Sequence, residues 1–389
     1  MSWFGRRLSE GITSSCMHIA IDVRSLIGLR HSGVEEYTIQ IIRAMSVVAP
    51  QHTYHLFYSS FKKVEMPSFR ENVVVHPFHY PNKLIHTSQW LFSRPRWDVM
   101  LPVAPDVVFV PNPHRIPLSY TVPLVSVVHD LAFERFPEFL TFRKKVSHRF
   151  MRNPKFLLKN SSQVIAVSDY TKEDVVELYE VDPSHISVLY SEISASRTSA
   201  TPFQVQNVKR KYTLPEKFLL FVGTMEPRKN ISGVVSAFSA IANRVSQDLV
   251  IAGEQGWKIR ELMSHIASSP YSDRIHLVGF VAEEDKNALY AAADVFLYPS
   301  FYEGFGFPPL EAMVNGTPAV VSFNSSLPEV VGEWATLVDP YNTSQIAAVL
   351  EELLVSPTRV PASVQKEIRE KYSWERAAKE TVKILESVV

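Results

Sequence analysis

Short apolar runs alternate along this chain with stretches whose apolar residues recur every three or four positions. The first run, 18–23, reads as a buried strand. After Ser32-Gly33, residues 34–48 carry Tyr37, Ile41, Ile42 and Met45 on one face, the spacing of an amphipathic helix. Further strand-like runs fall at 54–58, 73–76, 107–110, 124–128, 164–167 and 186–190, with helical stretches at 142–158 and 170–179 among them. Parallel strands need long crossovers, usually helices, so this alternation predicts an α/β chain whose parallel sheet is covered on both faces. The rhythm lapses over 191–215, which is rich in Ser, Thr, Ala and Gln around one short helical pattern. It restarts at 218–222 and continues through 248–252, 275–278, 294–298, 319–322 and 336–339, with helices opening near Ile231, Ile259, Glu284, Pro309 and Ser344. Trp374, Ala377, Ala378, Val382 and Leu385 close the chain on one helical face.

These patterns divide the chain. Residues 1–16 read as a flexible leader, 17–190 as one parallel-sheet domain and 191–215 as a linker and hinge. Residues 216–370 form a second domain, and 371–389 a terminal helix expected to pack back across the junction. A length of 389 residues with 46% hydrophobic content is enough for two cores. The 40 basic and 40 acidic side chains cancel, which argues against nucleic-acid binding through the field of the whole protein. Cys16 is the single cysteine, so no internal disulfide forms and a reducing, cytoplasmic setting is expected. No apolar run reaches the ~20 residues that span a bilayer.

Glycines mark the second half as the ligand-bearing one. Gly223, Gly253 and Gly279 each end an expected strand, where parallel sheets open their crevice and where glycine lets backbone approach a ligand. The segment 301–311, Phe-Tyr-Glu-Gly-Phe-Gly-Phe-Pro-Pro-Leu-Glu, follows the strand 294–298. It puts Glu303 in a glycine loop and Glu311 in the first turn of a proline-started helix. Backbone N–H groups of Phe305, Gly306 and Phe307 would face an anion at that helix's positive end. The segment 223–230, Gly-Thr-Met-Glu-Pro-Arg-Lys-Asn, leaves a strand and enters a helix that Asn230 can cap. Arg228 offers a planar fork and Lys229 a point charge to phosphate oxygens. An arbitrary Arg-Lys pair is a solvated surface feature; the strand, glycine and cap around this one favour a crevice. A nucleotide-diphosphate sugar has both the anion and the hydroxyls that such a site would grip.

In this order the motifs resemble those of retaining glycosyltransferases of the GT-B type, in the glycosyltransferase family 4 group and mannosyltransferase-like. The resemblance covers nearly the whole chain: Ser32-Gly33, Val127-Val128-His129-Asp130, Ile165-Ala166-Val167-Ser168, 223–230, 303–311, Gly316-Thr317-Pro318, 325–329 and Val338-Asp339-Pro340. It implies two Rossmann-like parallel-sheet domains facing each other across a cleft, the first serving the acceptor and the second the donor. It implies that Arg228 and Lys229 bind the donor diphosphate, Glu311 the ribose hydroxyls and Glu303 hydroxyls of the transferred sugar. The backbone of Phe305, Gly306 and Phe307 would lie near sugar and phosphates, after the Gly223 turn. Gly33 would bring the first domain to the same diphosphate, and His129 would touch the sugar near the reacting centre. Taken alone, a histidine such as His129 is more often a satisfied structural residue; its place between a five-residue apolar run and Asp130 favours function. Base recognition would fall to backbone near Phe280 and Val281. Two departures stand out: Tyr190-Ser191-Glu192 replaces a common Asn-Gly, and Glu35-Glu36 brings acid near a phosphate site.

The resemblance implies transfer of a hexose, best matched by mannose in polysaccharide biosynthesis, to a glycan or lipid-linked glycan. No cofactor is expected beyond the co-substrate. No Asp-X-Asp occurs and His76 and His79 lack further ligands in sequence, so no metal site is expected, the cation pair standing where other sugar transferases use a divalent ion. A nucleotide-sugar 2-epimerase and a non-catalytic sugar-nucleotide-binding protein are the alternatives on this fold. A dinucleotide dehydrogenase is disfavoured because no Gly-X-Gly-X-X-Gly follows a strand. Residues 142–159 interleave apolar side chains with seven Lys or Arg, either a core-facing helix with a solvated basic side or a peripheral contact with an anionic membrane.

Overall fold

The computed structural model describes residues 16–27, 33–61, 64–80, 87–88, 91–119, 121–146, 153–191, 200–355 and 358–389. The leader 1–15, Ser32 and the linker segment 192–199 lie outside them. Strands β1 (His18–Asp22), β2 (Thr53–Ser59), β3 (Val73–Phe78), β4 (Val107–Val110), β5 (Leu124–Val128), β6 (Gln163–Ala166) and β7 (Ile186–Val188) form one sheet in the order β3-β2-β1-β4-β5-β6-β7. Strands β8 (Phe218–Val222), β9 (Asp248–Ala252), β10 (Ile275–Gly279), β11 (Val295–Tyr298), β12 (Ala319–Ser322) and β13 (Thr336–Val338) form a second, in the order β10-β9-β8-β11-β12-β13. Every pairing is parallel, from Ile19 beside Tyr54 to Val320 beside Thr336. The order reverses between β1 and β4 and between β8 and β11, the positions where such sheets bind ligands beyond their carboxyl ends.

Central strands are apolar on both faces because helices cover both. Phe218 to Phe221, Leu249 to Ala252 and Val295 to Leu297 are fully buried. Helix Gly33–Val48 buries Tyr37, Ile41, Ile42 and Met45. The terminal helix Trp374–Ser387 lies along it, with Trp374 and Tyr37 ring centroids 5.5 Å apart and Glu386 3.1 Å from His52. The chain thus ends on the half in which it began.

One segment differs from the sequence expectation. Residues 142–158 are not one helix: helix Phe142–Val146 and helix Pro154–Lys159 are separate, and Asn153 between them is left-handed (φ 43°) and accepts a hydrogen bond from Phe156 N. Proline cannot continue a helix and bars the helical region to its predecessor, so Asn153-Pro154 starts a new one. The one short helix expected within 191–215 is present. Pro202–Lys211 is a helix with a Thr201–Gln204 capping box, tied to the second half by Lys211 and Tyr212, which donate to Asp285 at 2.6 and 2.8 Å.

One loop after β11 fastens the halves together. Tyr302 enters the first half, where its hydroxyl accepts from Leu131 N (3.1 Å) and donates to Asp174 (2.5 Å). Gly304 O accepts from Ser168 Oγ (2.7 Å) and Thr171 Oγ1 (3.1 Å). Glu329 caps helix Asp169–Tyr179 from across the junction, accepting from Asp169 N (2.7 Å) and Tyr170 N (3.2 Å). A Cβ on Gly304 would stand 1.7 Å from His129 O, so only glycine permits this approach. Gly304→Ala is therefore expected to destabilise the protein by about 1–3 kcal/mol, the usual cost of overpacking, and to increase the radius of gyration. Denaturant unfolding and small-angle scattering check this; unchanged values in both would show that the contact does not hold the halves together.

Candidate active site

Strands β8 and β11 are neighbours, and the loops leaving their carboxyl ends build the centre of the site. After β8 the chain passes Gly223, whose carbonyl lies where a Cβ on Gly253 would come within 2.0 Å, so glycine is required at the end of the adjacent strand. A short turn, Pro227–Lys229, follows, and Asn230 (φ 53°) caps helix Ile231–Ile241 by accepting from Gly233 N at 3.2 Å. The Asn230 amide donates to Pro299 O (3.1 Å) and Pro340 O (2.7 Å), locking this turn to the β11 loop.

That lock brings three of the sequence candidates into contact. Arg228 Nη1 donates to Glu303 Oε2 (2.8 Å) and Tyr302 O (2.7 Å), and Lys229 Nζ donates to Glu303 Oε1 (2.7 Å) and to the Tyr298 hydroxyl. Glu303 is 6% exposed. Burial opposes its charge, but Arg228 and then Lys229 outweigh it and hold the carboxyl down at about 2. Burial and the neighbouring Arg228 charge pull Lys229 down. Burial acts against the Arg228 charge too, and Glu303 and Glu226 overcome it. The Glu303 backbone is fixed by Ser325, whose Oγ accepts from its N–H (3.0 Å), and by Ser326, whose Oγ donates to its carbonyl (2.9 Å).

His129, at the end of β5, abuts this loop from the first half through Gly304. Its Nε2 lies 2.7 Å from Pro111 O, which can only accept, so Nε2 carries the proton and Nδ1 keeps its lone pair. Burial lowers its pKa, which favours the neutral ring. Tyr37 packs edge-on against it, centroids 4.8 Å apart.

Glu311 stands in a second cluster. Helix Phe307–Val314 begins one residue before its prolines, so Glu311 is the fifth helical residue and lies in the second turn, not the first. It is buried and takes a hydrogen bond from Tyr290 OH at 2.7 Å. Burial raises its pKa against the pull of Lys286 and Tyr290, and Glu36 of helix Gly33–Val48 is close enough to raise it further. The first-half helix that starts at exposed Gly33 therefore faces this cluster. Phe280 (50% exposed) and buried Val281 lie between Gly279 and helix Glu283–Ala292, which carries Lys286 and Tyr290. The Phe305 side chain is buried against Phe307 and Tyr372, so only its backbone is left for a ligand. Gly306 (φ 105°) turns the chain into the helix. Sequence reasoning missed Glu226, Tyr298, Tyr302 and Tyr290; the first three sit in motifs already singled out, where side-chain direction was not readable, and Tyr290 lies in helix Glu283–Ala292 outside them.

Two parallel-sheet halves meeting at their strand carboxyl ends, with a cation pair and buried carboxylates between them, define a GT-B glycosyltransferase. Residues 31–197 match the family described as Glycosyltransferase Family 4, and residues 204–372 the family described as Glycosyl transferases group 1. O-antigen chain mannosyltransferase B of Escherichia coli is 32% identical over 280 residues, covering 69% of this chain and 70% of that protein. The chain belongs to glycosyltransferase family 4. Serotype-specific mannosyltransferase WbdA of Escherichia coli is 30% identical over 274 residues, 65% of this chain but 33% of its own length. The structure of Anabaena Alr3699/HepE in complex with UDP-glucose superposes with a TM-score of 0.69 at 17% identity, covering 95% of this chain and 100% of that one, a likeness that carries the fold.

The Glu303 carboxyl sets a pH dependence. Its folded pKa lies below the ordinary 4.5, so the stability it contributes is complete above about pH 4.5 and is lost as pH falls toward 2. The contribution is on the order of 3 kcal/mol. Unfolding free energies of wild type and Glu303→Gln are expected to differ most near pH 7 and to converge in acid. A difference that stays constant from pH 7 to pH 3 would contradict the charge cluster.

Proposed function

We propose that this protein transfers a hexose, mannose by analogy with its named relatives, from a nucleotide-diphosphate sugar to a glycan or lipid-linked glycan, with retention of configuration and without a divalent metal. The observation that carries this reading is the contact of Arg228, Lys229 and Glu303 in one buried cluster at the carboxyl ends of β8 and β11. In this structure Glu303 satisfies both cations. The diphosphate replaces it there, and the freed carboxylate accepts hydrogen bonds from hydroxyls of the sugar.

Negative charge grows on the diphosphate as the glycosidic bond breaks, and fixed cations aimed at it contribute most when water is excluded. Arg228 and Lys229 are held in place before the reaction begins, so little reorganisation is needed. His129 stays neutral and offers Nδ1 to a sugar hydroxyl, its other nitrogen being tied to Pro111. Glu311, held by Tyr290 on Oε2, keeps Oε1 for the ribose, and backbone at Phe280 and Val281 receives the base. The acceptor enters from the first half and attacks the face that the diphosphate leaves. The cation pair supports metal independence, since it already supplies the charge a divalent ion would bring.

A peripheral membrane contact fits the surface at the two short helices. Phe142 is 80% exposed, and Val146 and Phe156 are also exposed, near Lys145, Lys155 and Lys159. Part of that charge is spent internally: Lys155 and Lys159 pair with Glu180 at 3.3 and 2.9 Å, and Lys144 lies over Trp257. Among the described residues no helix is long and apolar enough to cross a membrane.

Arg228→Ala and Lys229→Ala are each expected to lower turnover by about 100–1000-fold. The assay is nucleoside diphosphate release from a panel of sugar nucleotides with a mannose-containing glycan acceptor, run with and without excess chelator. Near-normal turnover would remove that side chain from the mechanism, and chelator-sensitive activity restored by magnesium would overturn metal independence.

A further inference from the structure

The turn that presents Arg228 also holds a buried carboxylate with no role in the reading above. Glu226 is 8% exposed, and its Oε1 accepts from both Arg228 Nε (3.0 Å) and Arg228 Nη2 (2.7 Å). The local sequence dictates this grip. Pro227 holds its predecessor extended, and Glu226 has φ −139° and ψ 156°. The tight turn Pro227–Lys229 then folds Arg228 back over the residue two positions before it. Four of the five guanidinium N–H groups are now accounted for: two by Glu226, and two by Tyr302 O and Glu303 on Nη1. The plane of the group is fixed from both ends.

Donor binding takes away one of those ends, because Glu303 must leave Arg228 to reach the sugar. Without Glu226, a guanidinium on a long, freely rotating stem would then hang on the Tyr302 carbonyl alone. We propose that Glu226 is a positioning residue, gripping the inner edge of Arg228 so that its outer edge stays aimed at the departing diphosphate once Glu303 has let go. The inference rests on the assignment of Arg228 to the diphosphate. It also explains a buried acid beside an anion site, where it would otherwise repel the ligand: its charge is spent on the guanidinium, and it touches the ligand only through that group.

The test is calorimetric titration of UDP and GDP, with UMP and GMP as controls, into wild type, Glu226→Gln, Arg228→Ala and the double variant, with circular dichroism to verify folding. Glu226→Asp, which withdraws the carboxylate by one methylene, serves if Glu226→Gln fails to fold. The Glu226 variant is expected to weaken the better-bound nucleoside diphosphate by on the order of 10–100-fold, the scale of a hydrogen bond to a charged group, and to leave the monophosphate within about twofold. In the Arg228→Ala background it should cost nothing further, because the two act as one unit. In turnover, kcat/KM for the sugar nucleotide should fall while KM for the acceptor holds. Normal diphosphate binding by the Glu226 variant, tighter binding, equal losses for mono- and diphosphate, or additive losses in the double variant would each overturn the positioning role. Arg228→Ala with unchanged diphosphate affinity would overturn the underlying assignment as well, and so separates the two failures.

Discussion

A carboxylate buried between a buried lysine and a partly buried arginine governs this structure. Each of the three charges depends on its partners, since removing one member of a buried pair leaves the other uncompensated and commonly costs about 3–5 kcal/mol. Glu303, Arg228 and Lys229 therefore hold one another in place, with Glu226 and Tyr298 completing the cluster. This requires the loops after β8 and β11 to meet, which they do because the two strands are paired and Asn230 bonds to both Pro299 and Pro340. Sheet order, loop geometry and electrostatics are three views of that one constraint.

The same loop links the chemistry to the relation between the halves. Tyr302 inserts into the first half, Glu303 meets the cations of the second, and Gly304 rests against His129. Three consecutive residues thus tie the junction, the charge cluster and His129 together. The terminal helix, returning to Gly33–Val48, supplies the second tether.

Much of the fold was legible because parallel strands buried on both faces leave uninterrupted apolar runs. All thirteen strands among the described residues lie within two residues of the runs that announced them. The Arg228–Lys229 and Glu303 motifs were legible by residue type and order, and the structure brings those three together. What failed to show in the sequence depends on side-chain direction or on distant contacts. Tyr302 meets Leu131, 171 positions earlier, and no local pattern encodes that. Glu226 reads as one more acid in a loop until the turn folds Arg228 over it. The break at Asn153-Pro154 was available as a proline signal, but the basic and apolar periodicity of 142–158 masked it.

The central claim is that Glu303 holds the two cations only until a diphosphate takes its place. A crystal structure of the protein with an intact nucleotide sugar tests it most directly. The account predicts phosphate oxygens within hydrogen-bond distance of Arg228 and Lys229, and the Glu303 carboxylate turned to hydroxyls of the sugar. A diphosphate bound elsewhere, with Glu303 still closed on both cations, would contradict it.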